Sequence, residues 1–407
     1  MATFRRTRLA LTGALITGAV VIAALPAEAR QPQQGRPGAP SLTVGAGTAF
    51  ESDGVVSFPM TLSAPAATPL RITAAPLPGT ARPSLDYRPG SVSAVIPAGS
   101  MVGTIAVPIV DDAAVEVSEE FTLRIGSAPG AIVANRSAAG TIEQDPVTVD
   151  ILHINDHHSN LAPTPNTLNL GTAGRAFTVP FGGFPQVAAK IAELEATRDD
   201  VVTVHAGDAI TGTLFYTLFE GEADAALMNA VCFDVFALGN HEFDDGDDTL
   251  AGFLDFLNSD PDCETATISA NVIPEVGTPL APNAAGEYVR PYVIKEIGEQ
   301  YVAFVGITIA GKTQNSSQPF PSTQFLDEVE TTQRYVDELA ARGIDNVVLV
   351  SHQGYENDIA LARAVTGVDA VVGGDSHSLL GDFSKYGLPS QGEYPTMTTN
   401  RAGTSVC

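Results

Sequence analysis

Five short motifs supply residue types that ligate divalent cations: Asp156-His157-His158, Gly207-Asp208, Gly239-Asn240-His241-Glu242, His352 and Gly373-Gly374-Asp375-Ser376-His377. Between them they offer carboxylate, imidazole and amide oxygen, the donors proteins use for such metals. A lone Asp-x-His is most often a solvated loop. Here most of the motifs follow an apolar, β-branched run, as Val201 to Val204 precede Gly207-Asp208 and Val347 to Val350 precede His352. In an open α/β sheet the carboxyl ends of strands converge on one crevice, so residues far apart in sequence meet there. The glycine before Asp208 lets the chain turn sharply and leaves room for a metal, and a carboxylate at that place can bridge two cations. Asp156 and His158 are two apart, so an extended segment turns both side chains to one side.

The elements that must position these residues follow from periodicity. From Val147 onward, apolar strands alternate with amphipathic stretches at 187–196, 223–230, 249–258, 331–342 and 359–365, the texture of a layered α/β domain. Residues 294–302 read as a hairpin about Gly298. Residues 42–145 read as all β, with strands at 55–62, 104–110 and 121–125 separated by Gly, Pro and Ser clusters at the spacing of a small immunoglobulin-like sandwich. Residues 30–41 are rich in Pro, Gln and Gly and read as a linker. No internal repeat links the two halves.

Composition narrows the setting. The chain has 407 residues and a net charge of −26, which argues against binding a nucleic-acid polymer through the overall field. Arg5, Arg6 and Arg8, an apolar stretch over 9–25 and Ala27-Glu28-Ala29 form a signal for export, cleaved after residue 29. No later segment is long and apolar enough to span a membrane. In an exported chain Cys232 and Cys263 are either a bridge or two buried thiols, and the sequence leaves both open. Cys407 is the odd one out. Asn135-Arg136-Ser137 and Asn315-Ser316-Ser317 match glycosylation acceptors, a triplet common by chance. Phe215 and Tyr216 read as core or lid residues.

The runs Ile151 to His158, Gly207-Asp208, Gly221-Glu222-Ala223-Asp224 with Met228-Asn229-Ala230, and Leu238 to Asp244 resemble the calcineurin-like metallophosphoesterases. Within that family the chain is similar to the secreted 5′-nucleotidase branch, which includes 2′,3′-cyclic nucleotide phosphodiesterases and UDP-sugar hydrolases. The resemblance implies a four-layer α/β sandwich over 147–407 and two metal ions. Asp156, His158, Asp208 and His377 would hold the first, and Asp208, Asn240, His352 and Asp375 the second. Two such ions clamp a phosphoryl group and activate water for in-line attack. His241, oriented by Asp244, would stabilise developing charge or protonate the leaving oxygen. At the last motif the family usually reads Gly-His-x-His, and here Asp375 stands at the first of these histidines. A hard oxygen there favours Mn²⁺, Mg²⁺ or Ca²⁺ over Zn²⁺, or Asp375 stays outside the ligand set. In the branch a C-terminal domain binds base and ribose. This chain stops inside a strand-turn-strand around Asn400 to Gly403, which reads as a fragment because such a stop leaves an unpaired edge.

Residues 42–145 resemble a Calx-β module, a calcium-binding sandwich. Glu51, Asp86, Asp111, Asp112, Glu116, Glu119 and Asp145 would supply the hard oxygens Ca²⁺ prefers; the alternative is an acidic, solvated loop. The expected function is thus an exported two-metal hydrolase of nucleotides or related phosphate esters. Cyclic-nucleotide or UDP-sugar cleavage is the alternative within the class. The rival from another class is a calcium-stabilised binding or adhesion protein with an inactive phosphoesterase domain.

Overall fold

The computed structural model describes residues 38–112, 118–170, 175–298 and 300–407. The export signal, most of the linker and Glu116 lie outside these residues. Two compact units divide at Pro146 and Val147.

In the first unit, inward and outward residues alternate along the strands, so one face of each sheet is buried. Val55–Leu62 alternates strictly, with Val56, Phe58, Met60 and Leu62 inside. A four-stranded sheet orders Val102–Pro108, Val55–Leu62, Ser41–Val44 and Ile132–Val133. A five-stranded sheet orders Gly47–Phe50, Ser137–Glu143, Glu119–Ser127, Leu70–Pro78 and Val92–Ile96. Their apolar faces share one core, in which Phe121 sits against Tyr87 and Phe58. The expected strands are present. Among the described residues of this unit, one 3₁₀ turn, Glu51–Asp53, interrupts the strands.

In the second unit the strands are buried on both sides. Along Gln300–Thr308, Val302 and Phe304 face one core while Ala303, Val305 and Ile307 face another. Asn346–His352 divides in the same way, with Val348 and Val350 on one side and Val347 and Leu349 on the other. Such runs read as continuous hydrophobic segments because both faces are covered. One sheet is fully parallel, in the order Asp150–Ile154, Val201–His205, Val235–Ala237, Ala266–Ile268. The other orders Tyr292–Ile297, Gln300–Thr308, Asn346–His352 and Ala370–Gly373, with its first strand antiparallel. The two sheets share a core of Val, Ile and Ala side chains. Phe184–Glu195, Glu222–Val231 and Gly246–Leu257 cover the first sheet, and Glu328–Ala341 and Tyr355–Ala364 cover the second. The result is the expected four layers.

Every expected helix is present, beginning one to four residues earlier than its apolar period does. The first turn carries polar or capping residues that the period cannot register, such as Asp327, whose side chain accepts from the Glu330 N–H. The Gly298 hairpin forms, with Ile297 opposite Gln300. The hairpin Thr164–Leu170 with Arg175–Phe181 and the helices Leu214–Phe219 and Ala310–Ser316 carry no clear period and escaped the sequence. Phe215 is exposed on its short helix rather than in the core, and Tyr216 donates to Asp245 at 2.6 Å. Cys232 and Cys263 form a disulfide with Cα atoms 5.4 Å apart. Thr398–Thr399 pairs with Ser405–Val406, and Cys407 bonds onward to Asp369 and Val371. The edge expected to be bare there is therefore partly paired. Asn135 spends its side chain on Val44 and Ser137, so this acceptor triplet serves the turn it sits in. No helix among the described residues is long and apolar enough to cross a membrane.

Candidate metal centre and active site

All five motifs lie at the carboxyl ends of parallel strands. Asp156 and His158 follow Asp150–Ile154, Asp208 follows Val201–His205, and Asn240 and His241 follow Val235–Ala237. His352 ends its own strand, and Asp375 and His377 follow Ala370–Gly373. Main-chain bonds lock these loops together: the Asp156 N–H donates to Gly207 O at 2.9 Å and the His158 N–H to Asp208 O at 3.1 Å. The His241 N–H donates to Asp208 Oδ1 at 2.9 Å, and the Asp375 N–H to Asp156 Oδ2 at 2.9 Å.

Asp156 and His158 do not share an extended segment, contrary to the expectation from their spacing. Their φ angles are 51° and 44°, and Asp208, Asp375 and His377 are also left-handed, at 54°, 75° and 50°. Left-handed backbone at non-glycine residues costs about 1–3 kcal/mol each and persists where surrounding structure enforces it, most often at functional sites. The abrupt turn after each strand, rather than strand alternation, aims these side chains. Gly207, at φ 92°, has no room for a Cβ, which would lie 2.6 Å from His352 Nδ1 and 2.7 Å from Gly239 N.

The ligand atoms converge. His352 Nε2 lies 2.9 Å from Asp208 Oδ2 and 3.8 Å from Asp156 Oδ1. His158 Nε2 lies 3.7 Å from Asp208 Oδ2, 3.8 Å from Asp156 Oδ1 and 3.3 Å from His377 Nε2. His377 Nε2 lies 3.4 Å from Asp156 Oδ1. Two donors each about 2.1 Å from one cation sit about 3–3.8 Å apart for angles of about 90–130°. Three groups of such atoms gather within 4.8 Å: Asp156, His158, His377; His158, Asp208, His241; and Asp156, Asp208, His352. Among the described residues no such group contains Glu51, Asp86, Asp111, Asp112, Glu119 or Asp145.

Two further features fit a cation. His352 is fully buried and its Nδ1 donates to Ala206 O at 2.7 Å, which fixes the tautomer and turns Nε2 toward Asp208. Without a metal, burial opposes a charge on His352, but the hydrogen bond and charge of Asp208 prevail and raise it to about 9. Burial likewise opposes the Asp208 charge, and His352 brings that carboxyl down to about 2. Asn240 Oδ1 is buried without a hydrogen-bond partner, a cost that a metal bond would remove.

The residues around this cluster hold it in place. Glu242 is buried and accepts N–H bonds from Asp208 at 3.0 Å, Ala209 at 2.7 Å and Gly239 at 2.6 Å, joining two ligand loops. Burial pushes its carboxyl up to about 7, and the Asp208 charge adds to this. His205 Nδ1 accepts the Gly207 N–H at 3.2 Å, so its Nε2–H donates to His157 Nδ1 at 2.8 Å. His157 Nε2–H then donates to Asp224 Oδ1 at 3.1 Å. His241 Nδ1 bonds Asp244 Oδ2 at 2.6 Å, and this bond raises its pKa against the opposing effect of burial. Asp375 Oδ1 pairs with Lys312 and lies 4.0 Å from His352 Nε2. Asp375 thus stands beside the tight groups rather than within one. Glu242 and His157 lie inside motifs already singled out, where the adjacency of a second acid or imidazole was the available signal. Lys312 gave none, since its partner is 63 residues away.

The calcineurin-like phosphoesterase family matches residues 149–379, which contain the whole cluster. The chain belongs to that family. Calcineurin-like phosphoesterases use divalent metals, in keeping with the donor groups assembled here. The chain is 39% identical over 272 residues to a probable 5′-nucleotidase of Treponema pallidum, covering 66% of this chain and 43% of that protein. It is 41% identical over 262 residues to an NAD 5′-nucleotidase of Haemophilus influenzae, covering 64% and 41%. The solved NAD nucleotidase of Haemophilus influenzae superposes with a TM-score of 0.59 at 40% identity, over 64% of this chain and 44% of that one. A 5′-nucleotidase precursor from Thermus thermophilus gives 0.57 at 35% identity, over 64% and 48%. The chain spans less than half the length of each of these relatives.

Proposed function

We propose that the chain is a two-metal phosphoesterase acting on nucleotides or related phosphate esters. The observation that carries this reading is the convergence of Asp156, Asp208 and His352 within 4.8 Å, with the His352 tautomer fixed so that Nε2 faces the two carboxylates. Asp156, His158, Asp208 and His377 would hold one ion. Asp208, Asn240, His352 and Asp375 would hold the other, Asp208 belonging to both sets. Divalent ions so held supply Lewis acidity at the phosphoryl group and an activated water as nucleophile. The chain's own contribution is to fix that geometry and to manage one proton. Asp244 accepts from His241 Nδ1–H and raises the pKa of the ring, and in the imidazolium form so favoured Nε2–H can donate to a leaving oxygen. The second set, with three oxygen donors to one nitrogen, would favour Mn²⁺, Mg²⁺ or Ca²⁺.

Nucleotide substrates are supported by the similarity to 5′-nucleotidases, and export by the signal-like first 29 residues together with a disulfide, which persists in oxidising compartments. The first unit is proposed to be a Calx-β module that binds Ca²⁺ through Glu51, Asp86, Asp111, Asp112 and neighbouring acids. In support, Glu51 and Asp86 are buried acids. Backbone bonds from Ile109 to Gly54 and from Val110 to Asp86, and from Ser52 to the Asp145 carboxylate, draw these segments together.

The test is phosphate release from 5′-AMP, UDP-glucose, 2′,3′-cyclic AMP and an aryl phosphate after chelation and resupply of Mn²⁺. Metal-dependent hydrolysis of at least 5′-AMP is expected. Silence on all four substrates overturns the enzyme reading in favour of a binding protein.

A further inference from the structure

Lys312, from the short helix Ala310–Ser316, brings an ammonium to a cluster of carboxylates, imidazoles and the Asn240 amide. It bonds Asp375 Oδ1, the same oxygen that lies 4.0 Å from His352 Nε2. The Asp375 backbone is left-handed and its N–H is already given to both Asp156 oxygens, at 3.2 and 2.9 Å. The main chain of Asp375 is therefore held by the Asp156 carboxylate, and its side chain is held from outside the cluster by Lys312. Only 14% of the Asp375 side chain is exposed, against 37% for Lys312. A carboxylate so covered, gathered with Asp156 and Asp208, needs a partner to stay charged and in place.

We propose that Lys312 is a positioning residue of the metal centre, whose ammonium holds the Asp375 carboxylate beside His352 and Asp156 in the orientation that binds the second ion. The inference rests on the two-metal reading above. An ionised carboxylate offers about four lone-pair sites, so one group can keep the ammonium and still ligate a cation. With Asp375 present, Lys312 orders a ligand and limits the repulsion among three carboxylates. With Asp375 removed, the same ammonium only repels the incoming ion. The sign of its effect on metal binding therefore depends on residue 375, which a merely structural lysine would not show.

The experiment is calorimetric titration of the chelator-stripped full chain with Mn²⁺, for the unaltered protein, Lys312→Met, Asp375→Ala and the double variant, with thermal melting of each apo form as a check on folding. Lys312→Met is expected to weaken the second binding step by about 10–100-fold, the usual effect of removing a group that orients a ligand. Lys312→Arg, which keeps the charge, should recover most of that loss. In the Asp375→Ala background, Lys312→Met should leave the affinity unchanged or improve it. Lys312→Gln carries the same comparison should the Met variant not fold. Equal weakening in both backgrounds, or no weakening in either, overturns the proposal while leaving two-metal binding intact. Failure of the unaltered chain to bind two Mn²⁺ ions overturns the two-metal reading, and this inference with it.

Discussion

Asp208 is placed to serve three partners at once: Oδ2 faces His352, Oδ1 accepts the His241 N–H, and its own N–H goes to Glu242. His241, by contrast, presents one ring nitrogen to Asp244 and leaves the other free. His241→Asn should lower kcat by about 10²–10⁴, as for loss of a general acid, while elemental analysis finds the metal content unchanged. Loss of metal would make His241 a ligand, a role its position within 4.8 Å of His158 and Asp208 also permits. Glu242→Gln should cost about 1–3 kcal/mol in thermal unfolding, because a side-chain NH₂ would face at least one of three backbone N–H donors. It should also reduce kcat/KM, since those donors belong to the loops carrying Asp208 and Asn240; an unchanged melting temperature would show that the bracket is dispensable. The candidate residue types and their strand-end positions were legible in the sequence because metal-binding chemistry admits few side chains. Their aim was not, because it comes from left-handed backbone at Asp156, His158, Asp208, Asp375 and His377, which spacing does not encode.

At the scale of elements, continuous Val and Ile runs announced buried strands, and alternation announced the half-buried ones of the first unit. Helix bodies were legible from their apolar period, and their starts were not, since a cap or an acidic first turn adds nothing to that period. The Leu214–Phe219 helix escaped for the opposite reason: Leu214, Phe215, Leu218 and Phe219 are apolar but exposed, and the pattern placed only Phe215 and Tyr216, as core or lid. Spacing left the cysteines open, whereas the fold brings the end of Glu222–Val231 to the segment before Ala266–Ile268. With a sequence separation of 31, the bridge should contribute about 3–4 kcal/mol by restricting the unfolded chain. Mild reduction followed by thiol labelling should therefore lower the melting temperature of the second unit as Cys232 and Cys263 become reactive. Labelling of both cysteines in the untreated protein would show that the bridge is absent.

For the whole molecule, two compact units of different architecture allow the ion binding proposed for each to be tested separately. If the first unit binds Ca²⁺, saturating it at about 100 times the dissociation constant should stabilise that unit by about 2.7 kcal/mol. Calorimetry should show its transition moving up with Ca²⁺ and failing to move after Asp111 and Asp112 are both replaced by Ala. A calcium-independent transition would leave those acids as a solvated loop. The reading proposed for the second unit makes the stronger demand, two cations that would share Asp208. Anomalous diffraction from crystals grown with Mn²⁺ tests it directly: two peaks about 3.5–4 Å apart, one beside His158 and His377, the other beside Asn240 and His352, with the Asp208 carboxylate between them. A single peak, or peaks that leave Asp208 uncoordinated, contradicts a bridged two-metal centre.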